Sequence, residues 1–149
     1  MRDAVVFFAI IVLGALVIGA LVSQRGKAPG LVNGRLTPPG AKPNAVCSEA
    51  DTPSADQVEP LRGTLAEVRQ ALEATGGTIT TETDDYLAAT YASKLFRFVD
   101  DVEVRDAGGG VVHIRSASRV GYSDMGANRK RVERIRRKLR DIQDSSESG

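Results

Sequence analysis

Apolar positions in this chain form one uninterrupted block near the start and several short periodic runs far behind it, separated by a stretch of proline and glycine. The block, Ala4 to Val22, reads AVVFFAIIVLGALVIGALV and carries no charge. A helix needs roughly 20 such residues to cross the hydrocarbon of a bilayer. In lipid a single segment can satisfy its own backbone only as a helix. The pattern therefore predicts a transmembrane anchor over residues 1–24, with residues 4–22 in the bilayer. A cleaved signal peptide has a shorter apolar region, about 7–15 residues. A lipoprotein anchor does not fit, because Cys47 lies far beyond the run.

All six prolines fall between this block and the first amphipathic run, interleaved with Gly26, Gly30, Gly34 and Gly40. Proline removes backbone donors and pushes its predecessor to extended conformations. Residues 25–57 are expected to be a tether whose later part lies along a domain spanning 58–143, with a polar tail at 144–149. Within that domain Leu61, Leu65, Val68 and Leu72 recur at helical spacing, Thr64 and Glu67 form a capping box, and Gly76-Gly77 ends the helix. Thr78 to Thr83 and Tyr86 to Ser93 read as a hairpin around Asp84-Asp85. Two further strands, Phe96 to Arg105 and Val111 to Ser118, flank a glycine turn. A last helix, about Gly126 to Ile142, aligns Val132, Ile135, Leu139 and Ile142 on one stripe. The fold class is α+β: a small two-layer domain with a four-stranded antiparallel sheet, its apolar face covered by two helices and its charged face open.

Charge refines this picture. The formal net charge of +1 excludes a wholesale polyanion binder, yet the last helix carries Arg129, Lys130, Arg131, Arg134, Arg136, Arg137, Lys138 and Arg140. In a tethered protein such a run points to anionic lipid headgroups, with Arg134, Arg137 and Lys138 as surface candidates; the alternative is a solvated helix face. Tryptophan is absent and aromatics are sparse, which argues against nucleic acid. Arg25, Lys27, Arg35 and Lys42 behind the anchor outweigh Arg2 in front of it. For a lone anchor this bias leaves open which face of a bacterial cell membrane bears the domain. The single cysteine forms no internal disulfide, and no cysteine or histidine spacing suits a metal, so no cofactor is expected.

Two constellations are candidates for chemistry. If the glycine turn is symmetric about Gly109, Val104 faces Ile114, Glu103 faces Arg115 and Asp100 faces Ser118. Asp100 then shares a face with Phe98, Val102 and Val104 and requires a partner. Around it Arg115, Ser116, Ser118, Arg119, Tyr122, Asp124, Asn128 and Arg129 gather polar groups at a strand end and a helix start. This cluster holds either the fold or a small anionic ligand. His113, the only histidine, is expected on the solvated strand face.

Asp85-Tyr86-Leu87, Leu95 to Glu103 (LFRFVDDVE), Arg115 to Asp124 (RSASRVGYSD) and Asn128 to Arg131 resemble the domain-of-unknown-function family 1499, and Gly34-Arg35-Leu36 and Pro43-Asn44 extend the likeness upstream. The resemblance implies a small, mostly bacterial protein type, often with an anchor or export signal in front, for which no activity is established. This chain departs from its relatives in placing cysteine at Cys47 instead of directly after Pro43-Asn44, and in having Ala88 and Ala89 where bulkier residues are common. The expected function is a noncatalytic, membrane-tethered binding or envelope-associated module. The rival is a small membrane-anchored enzyme using Asp100 or Asp124 as acid or base.

Overall fold

Hydrophobicity decides the first element. The structure, a computed structural model, describes residues 1–148. Helix α1 (Arg2–Gln24) is long and apolar enough to cross a membrane, and nearly all its side chains are exposed. Only Ala20 and Ser23 of this helix are buried, where its last turns meet the rest of the chain.

The proline-rich segment folds into short strands: β1 (Leu31–Val32), β2 (Arg35–Leu36), β3 (Ala45–Cys47) and β4 (Leu61–Arg62). Helix α2 (Leu65–Ala74) starts at Thr64, whose hydroxyl accepts from the Glu67 N–H while the Glu67 carboxylate accepts from the Thr64 N–H. This reciprocal cap satisfies two donors that a helix start otherwise leaves open. Strands β5 (Thr78–Glu82), β6 (Tyr86–Ala92), β7 (Val99–Asp106) and β8 (Val111–Ser118) follow, then helix α3 (Ala127–Glu147).

The sheet has six strands, not the expected four. Its order is β3-β8-β7-β6-β5, all antiparallel, with β4 also pairing β8; β1 and β2 form a separate two-stranded ribbon. Strands β3 and β4 fill the free edge of β8, and neither contains a proline, which would have removed a ladder donor. At two or three residues each they are too short to display an alternating pattern. Across the glycine turn, Val104 pairs with Ile114, Glu103 with Arg115 and Asp100 with Ser118.

On one face of the sheet Leu87, Ala89, Val102, Val104, Val112 and Ile114 pack against Val68 and Leu72 of α2 and Val132, Ile135 and Leu139 of α3. Each such valine, leucine or isoleucine side chain contributes about 1.5–3 kcal/mol on full burial. The opposite face is not open to solvent, a second departure from expectation. The β1–β2 ribbon lies across it, and Leu36, Leu31 and Ala28 pack on Cys47, Tyr86 and Ala88. Asp101 and Glu103, on the face expected to be open, are buried there.

Strand β7 begins and β8 ends beside the last turn of α1, where the Ser23 hydroxyl accepts from the Val99 N–H at 3.1 Å. The β7–β8 turn is at the opposite end. Helix α3 runs back towards that turn, where Gln143 donates to the Arg62 carbonyl at 2.9 Å.

Candidate functional site

Strand alternation sends Asp100, Ser116 and Ser118 to the helix side of the sheet, at the end nearest α1, where α3 begins. There the polar groups bond one another, and of the Arg131 nitrogens only Nε is left buried without a partner among the described residues. Asp100 Oδ2 accepts from Arg131 Nη2 at 2.5 Å, and Arg131 Nη1 donates to Ser116 Oγ at 3.0 Å and to Asn128 Oδ1 at 2.6 Å. Asn128, fully buried, receives the Ser116 hydroxyl at 2.6 Å and donates to Ser118 Oγ at 3.0 Å and to the Asn44 carbonyl at 2.9 Å. The Arg131 guanidinium also stands 5.1 Å from the centre of the Tyr91 ring, where its charge meets the ring's negative face. Asp124 caps α3, accepting from Gly126 N–H at 2.9 Å and Asn128 N–H at 2.8 Å. Burial works to raise its pKa, but these N–H groups outweigh it and hold the carboxyl below its usual range.

The opposite face carries a second network, closed by the segment that follows α1. Glu103, on β7, accepts from Arg115 at 3.0 Å, from the Tyr86 hydroxyl at 2.8 Å and from the Gly30 N–H at 2.9 Å. Burial and the adjoining Glu103 carboxylate push the Tyr86 phenol well above its ordinary value. Asp101 takes a two-pronged bond from Arg119, both contacts 2.7 Å, while the same guanidinium donates to the Ser23 carbonyl of α1 at 2.9 Å. Glu49, only 1% exposed, receives Arg105 at 2.7 and 3.0 Å, Arg35 at 3.2 Å and the Leu36 N–H at 3.1 Å. Burial alone would raise the Glu49 value, but these donors bring it down to about 2. His113 is half-buried beside Ser48 at 3.0 Å and Glu49 at 3.9 Å, so the solvated position expected for it is corrected.

Of the residues singled out in the sequence, the structure therefore joins Asp100, Ser116, Ser118, Asp124 and Asn128. Arg115 and Arg119 belong to the other face. Arg129 turns away to the Gln57 and Ala55 carbonyls, and Tyr122 stands 71% exposed on the loop between β8 and α3. Arg136 is likewise engaged by the Pro60 and Glu59 carbonyls. Arg134 and Arg137 are exposed and Lys138 is half-buried, around the middle of α3 and farther from α1 than the Asp100 network. The partners that sequence reading missed are Asn44, Ser48, Glu49 and Arg131. The first three lie in irregular chain with no periodicity to mark them. Arg131 is indistinguishable by type from its basic neighbours, and only its helical phase beside Val132 and Asn128 sets it apart.

Between the network and α1 lies a cleft of about 510 Å³. Gly19, Phe98 and Val120 form an apolar wall, and Asp100, Ser118 and Asp124 a polar end. Among the described residues no group of His, Cys, Asp and Glu is arranged to hold a metal ion.

No curated protein and no solved structure matches the chain. The family model described as "Protein of unknown function (DUF1499)" matches residues 35–139, a stretch that runs from β2 to the buried Leu139 of α3 and contains the charged side chains of both polar networks. That match covers more than half of the chain, and the chain belongs to the DUF1499 family.

Proposed function

We propose that this DUF1499 protein is a noncatalytic, membrane-tethered binding module whose ligand is an amphiphile drawn from the bilayer. The observation that carries the reading is the make-up of the cleft beside α1: an apolar wall at Gly19, Phe98 and Val120 leading to Asp100, Ser118 and Asp124. With α1 spanning the bilayer, an acyl chain reaches the apolar wall without crossing water. Its head then meets oxygen acceptors, which favours a hydroxyl- or amine-bearing head over a bare anion. The nearby guanidinium groups of Arg131 and Arg119 are already engaged by Asp100 and Asp101.

The enzyme reading has less support. A general acid or base must be free to exchange a proton with its substrate. Asp100 is ion-paired to Arg131 and both Asp124 oxygens accept backbone N–H bonds. Contact between anionic headgroups and Arg134, Arg137 or Lys138 would require the domain to lie on its side along α3.

The test is native mass spectrometry of the full chain released from lipid nanodiscs, beside the variant Ala127→Phe. Ala127 is exposed, lines the cleft and makes no side-chain bond to the network, so the added ring fills the space alone. A retained amphiphile on the parent that is lost in the variant supports the reading. Equal retention by both, or retention by neither, contradicts it.

A further inference from the structure

We infer that the loops 93–98 and 120–126 enter the bilayer on either side of α1, so that the domain is seated in the membrane surface and does not hang above it. This inference rests on the proposal that α1 spans the membrane. What drives it is how far up α1 the domain reaches. Phe98 approaches Gly19 so closely that a Cβ there would lie 3.1 Å from the ring. One side of the helix faces Phe98 and Val120 from Ala15 to Gly19, and another faces Leu95 and Phe96 from Val17 to Gln24. From Ala15 to Ser23 the helix rises about 12 Å. If that length stood in water to keep the loops dry, only residues 4–14 would remain to span. Those residues reach about 16 Å, roughly half of a 30 Å hydrocarbon layer. The anchor can span only if the loops go down with it.

The loops are chemically suited to that position. Leu95 is 80% exposed, Tyr122 71% and Met125 89%, all at the end of the domain where α1 leaves it. Outside α1, these are the large apolar residues the domain exposes most. Lys94 and Arg97 flank Leu95 and are exposed, placed to reach headgroups while the leucine points into the acyl region. Tyrosine is the residue type that membrane interfaces favour. The opposite end of the domain, at the β7–β8 turn, carries Asp106, Ala107 and three glycines instead.

The absence of tryptophan gives a clean optical test. Four single-tryptophan variants of the full chain, L13W, L95W, Y122W and A107W, are reconstituted into two sets of phosphatidylcholine vesicles, whose acyl chains carry bromine near the headgroup or, to read L13W at the middle of the span, near the chain end. For a side chain at the acyl boundary, L95W and Y122W should each lose roughly half or more of their emission relative to unbrominated vesicles. A107W, at the far end, should keep its emission. Quenching of L13W with L95W and Y122W no more affected than A107W overturns the seating while leaving the anchor intact. An unquenched L13W overturns the anchor and the seating together.

Discussion

The two faces of the sheet are built from the same strands and are buried by opposite means. Under α2 and α3 the buried side chains are mostly aliphatic, apart from the network around Asn128, and their contribution comes from area removed from water. Under the β1–β2 ribbon, beside Leu36, Cys47, Tyr86 and Ala88, lie the buried Asp101 and Glu103 with the half-buried Arg105 and Arg115, and these charges must be matched almost one for one. The aliphatic face tolerates local relaxation. The charged face does not, because a carboxylate left without its guanidinium in a water-poor setting costs several kcal/mol. The comparison teaches that the ribbon is held down by specific bonds to Glu103 and Glu49, where the helices are held by area.

Removing one partner on the charged face is the harshest test of this difference. Glu103→Ala leaves Arg115 buried without its carboxylate and should cost about 3–5 kcal/mol. The double variant Glu103→Met with Arg115→Leu should recover only part of that loss, since no charge is then left unpaired but the Tyr86 hydroxyl and the Gly30 N–H still lack their acceptor. Denaturant titration of the three proteins in detergent micelles would show it; a double variant no more stable than the single one would mean that the pair is worth more than its desolvation cost.

On the aliphatic face Ile135→Ala should cost about 2–5 kcal/mol through lost transfer energy and a residual cavity. Ile135 is fully buried in the core cluster, so no charged partner is orphaned and no second substitution should rescue it. Chemical denaturation of this variant alone checks the figure.

Acid should separate the faces as well. Glu49 titrates at about 2 when folded against an ordinary value of 4.5, because Arg105 and the Leu36 N–H overcome its burial. A folded value below the unfolded one means that its contribution is complete above about pH 4.5 and is lost as the pH falls towards 2. The gap amounts to about 3 kcal/mol. Melting curves collected between pH 5 and 2 should therefore fall more steeply for the parent than for Glu49→Gln. Parallel curves would remove Glu49 from the account.

The smallest effect belongs to the network beside α1. Asp100→Ala orphans Arg131 and should cost about 1–3 kcal/mol, with Asp100→Asn milder because an amide still accepts one bond. Indistinguishable melting temperatures for parent, alanine and asparagine forms would mean that the Arg131 pair contributes nothing to stability.

What was legible in the sequence follows the same division. The aliphatic face announced itself by alternation in β7 and β8 and by the Val132, Ile135, Leu139 stripe, and the symmetric glycine turn placed Asp100 opposite Ser118. The charged face was misread because Asp101, Glu103 and Arg105 alternate with valines just as solvent-facing residues do. Nothing in single-residue polarity distinguishes a charge facing water from one facing a matching charge. The missing information lay in Gly30, Leu36 and Glu49, whose backbone N–H groups and carboxylate act only once the proline-rich segment has folded across the sheet. Strands of two or three residues between prolines carry no periodicity, so the extra strands were invisible too. At the site, Asp100 was found and its partner Arg131 was not, since one arginine among many has no mark in sequence.

The central claim is that the chain between α1 and α2 is folded down across the charged face and so holds the domain against the end of the helix. Hydrogen exchange at the Gly30 and Leu36 amides tests this most directly, because each donates to a buried carboxylate, Glu103 at 2.9 Å and Glu49 at 3.1 Å. In the full chain in nanodiscs both amides should exchange far more slowly than an open loop, and Glu103→Ala should release Gly30 while leaving the amides of α2 protected. Gly30 and Leu36 exchanging at the rate of unstructured chain in the parent protein would contradict the account.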